Sequence, residues 1–483
     1  MKKAILVSCL ASLVLSASAK VEMGAPFSDG AVLQRGMKVP VWGKAASGET
    51  VRVSFAGQVR TATADADGRW QVVLDPLEVS DKGRTLAAND VEIKDVLVGE
   101  VWFASGQSNM ECPIWGSHTH YRDAKGALVT SMTRLPQVRY AKIPRAWSVT
   151  PLPQKACWRK FVPADLRTME HVMTQLAGAN TEISLSAVAF YYARELHLAL
   201  GIPIGIVDAS WGGTRIEPWT PGGEAAKGWS GAPHQQPSAL FNGMVAAWAP
   251  MAMRGFIWYQ GCSNSGDPQQ VYCAKMHALY DGWTKAFANP DLRLYLVQLA
   301  PYSQNWTGVC AAQNQFVAEE RNAAIAVTAD AGNFNDIHPN DKEIVAKRLA
   351  VHALKRDYGF DIPEDDSPVF RAATFGDDGT VTMEFDHVRD WYVYSPCWSR
   401  EPAFEVAGTN CVWAQAKIVN FRTVRHGDGR TDVTDFIDGP KIVVRSDKVS
   451  APVKVRYMGK PLTAGTLYNE ASLPLGPFEA GRR

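Results

Sequence analysis

Short runs of alternating apolar and polar residues open the chain. Between residues 20 and 95 they are Val39-Pro40-Val41-Trp42, Val51-Arg52-Val53-Ser54-Phe55 and Trp70-Gln71-Val72-Val73-Leu74, with Gly48, Gly57 and Asp67-Gly68 in the gaps. A period of two broken by turn residues predicts half-buried strands, and runs this short and closely spaced suit a small β-sandwich. Residues 361–483 show the same rhythm in Val381-Thr382-Met383-Glu384-Phe385, Ile442-Val443-Val444 and Val453-Lys454-Val455-Arg456-Tyr457. Neither region carries a convincing helical stripe.

The middle of the chain reads differently. Leu97 to Ala104 is a near-continuous apolar run, as a strand buried on both faces requires. Ala187 to Leu200 reads as a helix ended by Gly201, and the strand Ile204-Gly205-Ile206-Val207 follows. Further strands are predicted at Gly255 to Tyr259 and Leu294 to Leu299. Tyr272, Met276, Leu279, Trp283 and Phe287 recur at helical spacing, as do Val345, Leu349, His352 and Ala353, the latter behind a cap at Asn340 or Asp341. Strands alternating with helices predict a three-layer α/β/α domain with a mostly parallel sheet. The expected division is a leader over 1–19, an N-terminal β-sandwich-like domain over 20–95, an α/β domain over 96–360 and a C-terminal β-rich domain over 361–483. Gly222 to Ser238, rich in Gly, Pro and Gln, reads as a loop.

Composition narrows the partners. The chain has 483 residues, 46% hydrophobic and 20% charged, with a formal net charge of +1. That balance suits a globular protein and argues against nucleic acid or a membrane surface held by charge. Sixteen tryptophans are enough to supply both a core and a surface on which sugar rings stack. Lys2 and Lys3, the apolar run from Ala4 to Ser16 and the small residues Ala17-Ser18-Ala19 form a secretory signal too short to remain as a membrane anchor. Leu6-Val7-Ser8-Cys9 has the look of a lipoprotein box but lies too near the start. The mature protein is therefore expected to be exported, periplasmic or secreted, and soluble. Eight cysteines are present, and loss of Cys9 with the leader leaves an odd number. Cys397 and Cys411, which flank one predicted hairpin, are the first pair to test as a disulfide. No CxxC pair occurs, and His118 and His120 have no third ligand in view, so no metal site is expected.

Ligands of open α/β sheets bind beyond the carboxyl ends of the strands. Three blocks fall there: Gly106-Gln107-Ser108-Asn109, Ser210-Trp211-Gly212-Gly213-Thr214-Arg215 and Gln260-Gly261-Cys262-Ser263-Asn264. A fourth, Asn335-Asp336-Ile337-His338-Pro339, precedes the last helix. Together they supply the parts of an acyl-transfer site. A serine hydroxyl needs a base within hydrogen-bond reach, which His338 could be, and Asp336 could hold that imidazole. An oxyanion needs donors, which the N–H groups of Ser108 and of Gly212 or Gly213 and the amide of Asn264 could provide. Each block alone is more often a turn; their order within one domain carries the argument.

The four blocks resemble those of the SGNH (GDSL-like) hydrolases, and more narrowly of the sialate O-acetylesterase family. There a GQSNM block carries the serine, WGGT the glycine, WYQGESN the asparagine and DIHP the histidine. Gly106-Gln107-Ser108-Asn109-Met110, Trp211-Gly212-Gly213-Thr214, Trp258-Tyr259-Gln260-Gly261-Cys262-Ser263-Asn264 and Asp336-Ile337-His338-Pro339 match them in order. Ala239 to Met244 and Leu467 to Asn469 also resemble family segments, so the resemblance spans most of the mature chain. It implies an SGNH-hydrolase domain, a serine esterase that removes O-acetyl groups from a carbohydrate, and no metal or cofactor. Ser108 is implied as nucleophile, His338 as base, and Ser108, Gly212, Gly213 and Asn264 as the oxyanion hole. Gln107, Gln260, Arg215 and Trp211 are candidates for holding the sugar, although Arg215 is equally suited to an ion pair with Glu217 and Trp211 to the core.

Two positions depart from the family pattern. Cys262 stands where the family usually has Glu, which opens substrate preference and leaves Cys262 as a weak alternative nucleophile. The wider SGNH pattern places Asp three residues before His, and that position holds Asn335. The acid is therefore Asp336, Asp330 or a residue elsewhere, or the pair Ser108–His338 works as a dyad assisted by a backbone carbonyl. The sugar stays open between sialate and plant cell-wall polysaccharides such as acetylated xylan or xyloglucan. A carbohydrate-binding protein with an inactive esterase core is the alternative of another class. A lipase or peptidase of the α/β-hydrolase type would carry G-x-S-x-G, which Gly106-Gln107-Ser108-Asn109 does not.

Overall fold

The computed structural model describes residues 20–113, 134–161, 185–223, 230–332, 335–394, 403–425, 433–461 and 463–482. The leader, His118, His120 and Cys397 lie outside them, so the H-x-H pair and the Cys397–Cys411 bridge are not described. Among the described residues no helix is long and apolar enough to cross a membrane.

The central strand, β1 (Val91–Gly106), runs for 16 residues. Its first residues alternate Val91-Glu92-Ile93-Lys94-Asp95 and only partly bury, while Val96 to Gly106 are buried throughout. The change follows a change of partners. The start of β1 pairs with Ser80–Ala88 and the stretch from Leu97 to Gly99 with Val32–Gln34, both in the N-terminal β region. From Glu100 onward β1 pairs with strands of the parallel sheet. Asp95 marks the junction with φ +56°, close to where the register against Ser80–Ala88 shifts; Asp tolerates this left-handed conformation better than most residues. The boundary expected at residue 95 thus falls inside one continuous strand.

Around β1 stand β2 (Leu135–Lys142), β3 (Trp158–Phe161), β4 (Ile204–Ser210), β5 (Gly255–Tyr259), β6 (Arg293–Val297) and β7 (Ala323–Ala326), in the order β3-β2-β4-β1-β5-β6-β7. All are parallel except β3, which runs antiparallel to β2. Gly106 pairs in register with both Ser210 and Tyr259. Three adjacent strands therefore end at one level, and the serine, glycine and asparagine blocks start together. Gly106 has φ +141°, and a Cβ there would lie 2.3 Å from the carbonyl oxygen of Tyr259, so no side chain fits at this point.

Among the described residues the α-helices are α1 (Ser108–Glu111), α2 (Ala187–Leu200), α3 (Gln269–Ala286), α4 (Thr307–Glu319) and α5 (Lys342–Arg356). Ser186 caps α2 by accepting from the Ala189 N–H, and Gly201 closes it with φ +66°. Asp341 caps α5 by accepting from the Ile344 N–H. Helices α2 and α5 pack on each other, as do α3 and α4. Beyond α5 the described residues form three four-stranded sheets, whose central pairings include Thr380–Asp386 with Lys441–Arg445 and Phe404–Ala407 with Lys454–Tyr457.

Candidate active site

Beneath the site, β4 carries a buried charge cluster. The Asp208 carboxylate accepts from Lys142 Nζ at 2.8 Å, from the Ser210 hydroxyl at 2.6 Å and from the Ser186 N–H at 3.1 Å. It fixes the end of β4 just before Trp211 and ties the N-cap of α2 to it.

Ser108 opens α1 directly after β1, with Gln107 as its extended N-cap residue. First-turn N–H groups have no partner inside a helix, and Ser108 stands at such a position. The Ser108 Oγ lies 2.9 Å from His338 Nε2, and His338 Nδ1 lies 3.0 Å from Asp336 Oδ1. The same Asp336 oxygen also accepts the His338 backbone N–H at 3.0 Å, so a local turn holds the carboxylate and the imidazole together. Asp330 is committed elsewhere: both its oxygens accept from Arg348 at 2.7 Å, and Tyr468 donates to it at 3.3 Å.

Gly212 lies beside the serine, since a Cβ on it would come within 3.2 Å of the Ser108 Cβ. Its N–H donates to the Glu111 carboxylate at 2.8 Å, and Glu111 also accepts from Arg145 Nε at 2.6 Å. Gly213 has φ +73°, and its carbonyl accepts from Gln235 at 2.9 Å. The third expected donor, Asn264, is bonded to neighbouring loops. The Asn264 amide nitrogen donates to Glu217 at 3.2 Å and Asp267 at 2.8 Å, and its oxygen accepts from the Ile216 N–H and Gln260. Asn264 is fully buried, and these four contacts brace its loop.

Three of the four expected sugar ligands are likewise taken up by the scaffold. Gln107 is buried and accepts from the N–H groups of Gly261 and Ser263. Gln260 is fully buried, donating to the Thr214 carbonyl and Asn264 and accepting from the Tyr272 hydroxyl at 2.7 Å. These amides join the loops to one another. Arg215 forms the ion-pair alternative, reaching Glu217 and Asp267 at 2.9 Å each; these acids hold its guanidinium in the charged form against its partial burial. Trp211 stays at the rim. Its ring stacks on His234 at 4.8 Å and lies under the Arg145 guanidinium at 5.5 Å. Burial, and then the Arg145 charge, lower the His234 pKa.

Burial pushes the Cys262 thiol up to about 12, which leaves it protonated and a poor nucleophile. The residue that sequence reasoning missed is Lys342. It is buried at the first position of α5, where the helix dipole disfavours a cation; that misplacement was the available signal. Its Nζ donates to Asn109 Oδ1 and lies 5.3 Å over the Tyr259 ring. Asn109 in turn donates to the Ile337 carbonyl at 3.1 Å. Residues adjoining Ser108 and His338 are thus joined through one amide. Burial lowers the Lys342 pKa to about 8.

A hydroxyl, an imidazole and a carboxylate in line at the carboxyl edge of a parallel sheet form the constellation of a hydrolase acting on acyl groups. Residues 98–354, just over half of the chain, match the family model for carbohydrate esterases described as sialic acid-specific acetylesterases. Human sialate O-acetylesterase is 28% identical over 367 residues, covering 66% of this chain and 67% of its own. The rat enzyme of that name is 26% identical over 393 residues, covering 66% and 70%. A carbohydrate acetylesterase of known structure from Xanthomonas citri is 30% identical and superposes with a TM-score of 0.79 over 95% of this chain and 99% of that one. The protein is a carboxylic ester hydrolase. It belongs to the carbohydrate esterase family of sialic acid-specific acetylesterases, whose substrates are acetylated carbohydrates.

Proposed function

We propose that the chain removes O-acetyl groups from sugars through an acyl-enzyme on Ser108. One observation carries this reading: the unbroken chain from Ser108 Oγ through His338 to Asp336, at 2.9 and 3.0 Å. With Nδ1–H donated to Asp336, His338 Nε2 faces the Ser108 hydroxyl and takes its proton as Oγ attacks the acetyl carbonyl carbon. The bond from that carbon to the sugar oxygen then breaks, and His338 returns the proton to the sugar. Water, deprotonated by His338, attacks the acyl carbon; acetate leaves and Ser108 regains its proton. The Ser108 N–H and the N–H of Gly212 or Gly213 serve the oxyanion. The Gly212 N–H is held by Glu111, so the acyl oxygen takes that place as Glu111 turns fully to Arg145, which it already meets. Lys342 and Asn109 keep Ser108 and His338 in register. The helix pairs α2–α5 and α3–α4 are read as the outer layers of a three-layer α/β/α SGNH domain, and the basic and apolar first residues as an export signal.

Ser108→Ala is expected to abolish release of p-nitrophenol from its acetyl ester while circular dichroism stays unchanged; unaltered turnover would overturn the mechanism. For the sugar, an O-acetylated sialic acid is favoured by the match to the sialic acid-specific family, with the Trp211 ring as a stacking face. Acetate release should be compared on acetylated sialic acid, xylan and xyloglucan. Faster release from either polysaccharide moves the substrate to the plant cell wall, and release from none turns the reading to an inactive carbohydrate binder.

A further inference from the structure

Away from the serine site, helices α3 and α4 bring three metal-binding side chains together. Cys273 and His277 stand four residues apart on one face of α3, and Glu319 is the last residue of α4. Their ligand atoms all lie within 4.8 Å of one another. His277 Nε2 is 2.9 Å from Glu319 Oε2, and Cys273 Sγ is 3.8 Å from that same oxygen.

We propose that Cys273, His277 and Glu319 bind a soft divalent cation of the zinc type, with water in the fourth position. The donor set carries the argument. Thiolate, imidazole and carboxylate are the ligands zinc takes, at roughly 2.3, 2.0 and 2.0–2.2 Å, and tetrahedral angles then set ligand atoms roughly 3.3–3.6 Å apart. The 2.9 and 3.8 Å separations bracket that range, and the Cys273–His277 pair lies within 4.8 Å, so side-chain rotation of about an ångström or less closes the set. The carboxylate is already oriented. Gln315 donates to Glu319 Oε1 at 2.9 Å and itself accepts from Gln269 at 3.0 Å, which leaves Oε2 turned toward Cys273 and His277. Outer partners of this kind fix a ligand before the metal arrives. Cys273 is buried, His277 half-buried and Glu319 exposed, so a cation enters from solvent and rests against an apolar floor that includes Phe316, whose ring lies 4.8 Å from that of His277. The site pins the end of α4 to α3 and takes no part in the acyl transfer.

The test is zinc chloride titrated into the full chain by calorimetry, and cobalt(II) followed by absorbance. One saturable site per chain is expected, with a thiolate-to-cobalt charge-transfer band and a raised melting temperature. Cys273→Ser and His277→Ala should each weaken binding about tenfold or more, abolish the rise in melting temperature and leave acetate release unchanged. His277→Ala keeps the test valid should the buried Cys273→Ser fail to fold. A Cys157→Ser, Cys411→Ser double variant, which removes two exposed thiols, should bind as well as the parent chain. Absence of a saturable site, or binding indifferent to both Cys273→Ser and His277→Ala, would overturn the proposal.

Discussion

At the scale of single residues, what a side chain is bonded to decides its role, and sequence shows this only where a neighbour enforces it. Asp336 is two residues from His338, and its contact with both the ring and the backbone N–H is a local turn; its candidacy could be read from spacing. Asn264 and Gln260 could not be placed that way, because their partners Glu217 and Thr214 come from other loops, whereas the Arg215–Glu217 pair, two residues apart, was open to reading from spacing. Asp336→Asn keeps the shape but stabilises the wrong imidazole tautomer. A fall of about 10³–10⁴-fold in kcat is expected, read from p-nitrophenyl acetate hydrolysis; a near-normal rate would move the acid elsewhere. Lys342 gives a second residue-scale prediction. Lys342→Met should lower kcat about tenfold or more with little change in KM, because the register of Ser108 and His338 loosens while no group that meets the sugar is lost. Stability should report the same residue. A lysine whose folded pKa is about 8 against 10.5 unfolded binds fewer protons folded than unfolded between those values. Stability from this group therefore rises with pH across that window. The rise, measured by urea unfolding, should vanish in Lys342→Met.

At the scale of elements, the strong periodicities were legible. The stripes of α3 and α5, the glycine stop of α2 and the apolar run of β1 follow from single-residue spacing, and Asp341 resolves the choice of cap on α5. Helix α4 carried little signal, since its buried face is Val309, Cys310, Ala312, Gln313 and Phe316, mostly short or polar side chains with weak contrast to the exposed face. β2 and β3 were also missed, and β2 supplies the lysine beneath the site. Lys142 and Asp208 are nearly inaccessible. Lys142→Met would leave a buried carboxylate without its cation, which costs about 3–5 kcal/mol. The urea midpoint should fall accordingly, and kcat with it if the end of β4 frays. Retained stability would mean that the Ser210 hydroxyl and the Ser186 N–H alone satisfy Asp208.

At the scale of the whole molecule, the change of rhythm at residue 95 looked like a domain boundary, because sequence shows a pattern and not which strands a long strand pairs with in turn. β1 crosses that point unbroken, and the N-terminal region supplies more than a neighbouring sheet. Glu100 is fully buried in β1. It is met by Arg35 at 2.6 Å and Gln34 at 2.9 Å from the N-terminal region, and by Arg254 at 3.2 Å from the α/β core. Cutting the chain before residue 96 removes Arg35, Gln34 and the backbone partners of Leu97 to Gly99 in one step. What remains is a buried carboxylate with one cation and a central strand open along part of its edge, and either defect alone exceeds the usual cost of a point mutation. A chain of residues 96–483 is therefore expected to be insoluble or to lack a cooperative thermal transition and acetate release, whereas the chain from residue 20 melts with the N-terminal β region and the serine site lost together. A soluble, active 96–483 fragment would show that the strand can be divided where its pattern changes and that Arg254 alone neutralises Glu100.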